Sequence, residues 1–205
     1  FVQSAPKEYV ARAVFGVATD SLDADGAILE RSPMEFTEAE LRQVTDRFVG
    51  TIAQIPQMVS AKKIGGKRLY ELARRGVEVE REARDVRIYS LELIDVAPQQ
   101  YPEVTFRTVC STGTYVRTLA DDMAQALGGR AHLSALRRIR NGSLHVGDAL
   151  EISDVEKAVA AGRILEHILS PRDGLPDLPE VEVAEGIAMG VRNGLTFPSP
   201  GIGAG

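Results

Sequence analysis

The sequence predicts an α+β fold, a mixed but mainly antiparallel sheet flanked by helices, and three observations carry that expectation. Strand-like runs follow one another directly, near Val86–Val96 and Val104–Cys110, joined only by the polar turn Pro98–Pro102. The helical segments are separate and individually punctuated rather than alternating with single strands as in βαβ units. Finally, 44% apolar residues over a length of 205 suffice to bury one substantial core.

Each element has its own signal. Tyr9–Val17 alternates in polarity and reads as a strand, and Asp20–Gly26 is an acidic turn. Thr37 and Glu40 form a capping box ahead of Leu41, Val44, Phe48 and Val49, and Gly50 closes that helix. Ile52–Ile64 is extended, with Pro56 limiting where it pairs, and a short helix is expected over Lys67–Arg75. Gly113 allows a tight turn, after which Thr114 is expected to cap a helix with Val116, Leu119, Ala120, Met123 and Leu127 on its buried face. Gly128-Gly129 stops that helix, and Ser134–Leu144 is extended. Ser153–Glu156 then caps a helix expected to run to about Leu169. Three prolines among acids in Pro171–Pro179 read as a linker, dividing the chain into residues 1–170, a link over 171–180, and a short segment 181–205.

Composition excludes several classes. The single cysteine, Cys110, permits no internal disulfide and suits a reducing cytoplasm, where it is expected to pack rather than react. One cysteine and three scattered histidines make a poor transition-metal ligand set, and Asp20–Gly26 lacks the closing glutamate of a calcium loop, so no metal is expected. No apolar run approaches the ~18 residues that cross a bilayer. The net charge of −5 does not announce a nucleic-acid binder, yet the basic residues crowd into two regions, Lys62–Arg87 and Arg130–Arg140. On composition alone those clusters read first as solvated faces with helical ion pairs such as Glu71 with Arg75.

The segment Cys110–Arg140 carries the strongest hint of a site. Arg117 falls in the first turn of a helix, where the dipole disfavours a cation, so an anion is expected close to it. Asp121, four residues on along the same face, is the plainest structural partner. Tyr115 either packs over the Gly113 turn or faces a ligand, and Tyr9 is either a half-buried strand aromatic or a stacking surface.

That segment resembles the TruB family of tRNA pseudouridine synthases. So do Lys7–Gly26, Gln54–Lys63, Gly66–Gly76, Arg81–Arg84, Leu178–Glu182 and Arg192–Gly194, in the same order. The resemblance implies the pseudouridine-synthase fold, with residues 1–170 as part of the catalytic domain and the rest opening a small RNA-binding domain. It implies isomerisation of uridine-55 in the tRNA T-arm loop without a cofactor or an obligate protein partner, by a cytoplasmic enzyme. Tyr9 would then stack on a flipped base, Tyr115 would lie near its C5 as proton acceptor, and Leu136 would wall the pocket. Lys63, with Lys62, would approach RNA phosphates. Arg117 would pair with the family's nucleophilic aspartate, which stands in a Gly-Thr-Leu-Asp-Pro loop that this sequence does not contain. The chain therefore reads as an internal piece, inactive alone, with Arg117 uncompensated and Asp20, Asp23 and Asp25 kept away in a surface turn. Related alternatives are a guide-RNA-dependent synthase, or an RNA-binding or RNA-folding protein without chemistry.

Overall fold

The computed structural model describes residues 4–55, 63–64, 67–68, 82–175, 178 and 181–196. The chain forms two compact units, residues 1–151 and 152–205.

The first unit is built on a six-stranded sheet. Its strands are β1 (Lys7–Phe15), β4 (Gly50–Gln54), β7 (Arg84–Ala97), β8 (Glu103–Cys110), β9 (Ala131–Asn141) and β10 (Leu144–His145), in the spatial order β10-β9-β1-β8-β7-β4. Every pairing in it is antiparallel, which the short β7–β8 turn allows without a crossover. Two ribbons stand apart from it: β2 (Val17–Thr19) with β3 (Ile28–Arg31), and β5 (Lys63–Ile64) with β6 (Lys67–Arg68). Lys67-Arg68 is thus strand, not the start of a helix. The Gly65-Gly66 dipeptide between the two strands is a strong hairpin signal, and the rest of the expected helix lies outside the described residues.

Alternation sets the core. Ala11, Ala13 and Phe15 of β1 face the same side as Val104, Phe106 and Cys110 of β8, and all six are at most 1% exposed. Cys110 is fully buried, and burial pushes its thiol pKa up, as suits a packing residue. Helix α1 (Glu38–Phe48) lies against β7, and α2 (Val116–Ala126) against β9 and β1. Thr37 and Glu40 close both halves of the expected capping box. Val116, Leu119, Ala120 and Met123 form the buried face of α2. Gly128, at φ 86°, donates to Gln125, and Gly129 to Ala124, the paired bonds that end a helix with a left-handed glycine.

Several boundaries differ from expectation. The first strand ends at Phe15 because Gly16 turns at φ 86°, where a Cβ would meet the Ser32 carbonyl at 2.5 Å, and β2 leaves in a new sheet. In the second unit, α3 (Ile152–Ala160) stops well short of Leu169. Gly162, at φ 68°, donates to Val159 while Arg163 donates to Ala158, the same terminating pair, and a separate 3₁₀ turn follows over Ile164–His167. That unit also holds α4 (Glu185–Arg192). Among the described residues, no helix is long and apolar enough to cross a membrane.

Asp121, 3% exposed, braces the join between α2 and β9. It takes both Nε and Nη2 of Arg130 (2.8 and 2.9 Å), the Ala131 amide and the Gln125 side chain. Its neighbour Asp122 suffers for this. Burial first, and then the Asp121 carboxylate, raise the Asp122 pKa from 3.8 to about 6, with Arg130 pulling the other way. A folded pKa above the unfolded one gives stability that is complete below pH 4 and is lost as pH climbs towards 6. Asp122→Asn is therefore expected to raise the denaturant midpoint at pH 7.5 and to leave it unchanged near pH 4. Equal midpoints at both values would refute the assignment.

Candidate active site

The turn after β2 and the start of α2 meet across 94 residues of sequence. Arg117 Nη1 donates to Asp23 Oδ2 at 2.5 Å and to the Ser21 carbonyl at 3.2 Å. Ser21 Oγ donates to the other carboxylate oxygen, Oδ1, at 2.5 Å, so both oxygens of Asp23 are engaged. The two charged side chains are 29% and 32% exposed, neither fully solvated nor fully dry. The anion that the helix dipole requires near Arg117 is Asp23. Asp121 is not the partner, being committed to Arg130.

The acidic turn is therefore not merely a surface feature, and the reason is local. Leu22 sits at φ 56°, a left-handed conformation uncommon for a branched residue, and it is 5% exposed. Its carbonyl accepts from the Leu133 amide at 3.0 Å, and Asp23 makes a parallel bridge to Leu133. Thr19 Oγ1 holds the Asp23 carbonyl at 2.8 Å. Gly26 is required for the same fold-back, because a Cβ there would meet Ser21 Oγ. These bonds pull Asp23 onto β9, so Arg117 is compensated within this chain.

Asp23, Ala24, Asp25, Arg117, Leu133 and Leu136 line a hollow of about 240 Å³ together with Ser134 and Ala135. Leu136 reaches it through a bulge. Arg12 pairs with Ala135 and Ala13 with Leu133, so Ser134 is skipped and Leu133 and Leu136 face the same side. Leu136 is 48% exposed, at the point on β9 where the cover of the sheet runs out. Tyr9 lies on that face too, paired with Arg138 and Thr108 and half-buried against the core.

Tyr115 opens α2 and lines a second hollow of about 300 Å³ with Gln54, Arg84, Asp85, Val86, Thr112 and Gly113. The helix begins one residue later than expected. Thr114 is not its cap; Thr114 Oγ1 donates to the Ser111 carbonyl at 2.9 Å instead. Tyr115 is the N-cap residue, without a capping bond from its own side chain. Arg117 and Leu136 are thus brought to one hollow, while Tyr115 lines the other and Tyr9 shares the sheet face of Leu136. Lys63 begins β5, and Lys62 lies outside the described residues. Two residues absent from the sequence-derived site, Asp23 and Gln54, are in place here.

Residues 1–116 match the model of the TruB family pseudouridylate synthase N-terminal domain, and residues 117–175 that of the tRNA pseudouridylate synthase B C-terminal domain. The chain belongs to the TruB family. Curated relatives include the tRNA pseudouridine synthase B of Geobacillus kaustophilus, 40% identical over 98% of this chain and 72% of its own length. That of Symbiobacterium thermophilum is 43% identical over 95% of this chain and 64% of its own. A chain of the solved Cbf5–Nop10–Gar1 complex superposes with a TM-score of 0.68 at 24% identity, covering 94% of this chain and 50% of that one. At that identity the likeness concerns the fold. The TruB match joins inside α2, so Asp23 and Tyr115 come from the first matched piece and Arg117 and Leu136 from the second.

Proposed function

We propose that this TruB chain carries the base-handling part of a tRNA pseudouridine synthase that isomerises uridine-55 in the T-arm loop. Such a reaction detaches a uracil, turns it, and rejoins it through carbon, after the base has been flipped from its stack. It needs a nucleophile, a platform for the base, and a group to accept the C5 proton. The observation that carries the proposal is the Arg117–Asp23 pair set in a hollow walled by Leu136 on the Tyr9 face of the sheet, with Tyr115 two residues before Arg117 at the start of the same helix. In this reading Tyr9 stacks on the flipped uracil, Leu136 closes its apolar edge, Tyr115 takes the proton, and Arg117 orients the attacking carboxylate. Lys63 and Lys62 meet RNA phosphates, an interaction that salt weakens.

Asp23 is a poor candidate for the nucleophile itself, since Arg117 and Ser21 occupy both of its oxygens. It serves instead to hold Arg117. Release of tritium from 5-tritiated uridine in unmodified tRNA is the test. Protein from the complete gene should release it at one position of the T-arm loop, and residues 1–205 alone should release none. Failure of the complete protein, or release from another site, would defeat the reading of substrate. Turnover by residues 1–205 would defeat the reading of Asp23.

A further inference from the structure

Gln54 is 2% exposed at the end of β4, an edge strand of the sheet, and its side chain points at a residue 61 positions away. Its Oε1 accepts from the Tyr115 amide at 3.0 Å, and its Nε2 donates to the Tyr115 carbonyl at 3.3 Å. One amide thus grips both main-chain groups of one residue, as a neighbouring strand would. The Tyr115 carbonyl also accepts the first bond of α2, from the Leu119 amide at 3.0 Å.

We propose that Gln54 is a positioning residue for Tyr115, fixing through the main chain where the tyrosine ring stands and where α2 begins. Tyr115 has extended torsions, φ −98° and ψ 102°, and follows Gly113, which turns at φ 84°. No side chain of the turn itself caps the helix, because Thr114 is bonded back to Ser111. The lever on Tyr115 therefore comes from β4. Two residues beyond Tyr115, Arg117 leaves the same helical turn towards Asp23, so a shift in the start of α2 displaces both groups together. An amide is required for this grip. It offers one acceptor and one donor side by side, whereas a carboxylate would set a second acceptor against the Tyr115 carbonyl.

The catalytic part of this inference rests on the pseudouridine-synthase reading, and the experiment keeps the two apart. Gln54→Met preserves volume and removes both bonds, and Gln54→Glu preserves shape. In the protein from the complete gene, hydrogen exchange at the Tyr115 amide should quicken in Gln54→Met while the sheet amides keep their protection. Turnover on tRNA should fall about 100-fold, with KM and tRNA affinity unchanged. Gln54→Glu should regain turnover as pH falls and the carboxyl protonates, because a neutral acid again offers one donor and one acceptor. Unchanged exchange at Tyr115, or quickened exchange with normal turnover, would overturn the proposal. So would a Gln54→Glu pH profile parallel to that of Gln54. If the unaltered protein makes no pseudouridine, the functional reading falls, and exchange at Tyr115 still decides whether the grip exists.

Discussion

Tyr115→Phe is expected to abolish pseudouridine formation while leaving tRNA affinity nearly unchanged. The substitution removes one oxygen and keeps the ring, and the main chain of the residue remains held by Gln54 on both sides. A positioned proton acceptor contributes about 100- to 10,000-fold to a rate. The measurement is single-turnover tritium release at saturating tRNA, beside filter binding of the same tRNA. Tyr115 stands at the mouth of a helix, next to a hollow rather than inside the core, so the loss of its hydroxyl should cost little stability. Near-normal turnover by the variant would remove Tyr115 from its role and require another base. A matched loss of affinity would instead make it a binding group.

How much of this was legible in the sequence depends on the range of the interaction. The capping box of Thr37 and Glu40, the Gly128-Gly129 stop and the buried face of α2 are written within one or two turns of chain, and each is found where expected. Gly162 belongs with them, a local stop that a reading on to Leu169 passes over. The cap of α2 is different. Its acceptor comes from Gln54 on another strand, so the nearest polar residue, Thr114, is the natural and mistaken choice. The anion near Arg117 is demanded by a local rule, but its identity is not local. Asp23 is selected by a left-handed Leu22 and by a bridge to Leu133. Leu136 reaches the same hollow only because the sheet skips Ser134. Bulges and left-handed branched residues carry no reliable sequence pattern. The family resemblance supplied Arg117 and Leu136, while the contact that joins Arg117 to this chain's own turn needed coordinates.

Asp23→Asn should therefore separate stability from activity. The pair it breaks is about two-thirds covered, so solvent screening keeps its contribution to folding at about 1 kcal/mol, and the melting temperature should move by only a few degrees. Asparagine can offer its one oxygen to Ser21 or to Arg117 but not to both, and it no longer neutralises the guanidinium. Arg117 is then free to rotate or to seek another carboxylate. Because placement within about an ångström governs reactions of this kind, turnover should fall about 100-fold. A double-mutant cycle with Arg117→Met provides the decisive comparison. If Asp23 acts only by holding Arg117, the double variant should be no slower than Arg117→Met alone, since the group being held is already gone. Losses that multiply would show Asp23 acting on the substrate directly, against the engagement of both its oxygens. A fall in melting temperature large enough to account for the lost turnover would make the pair a structural brace and nothing more.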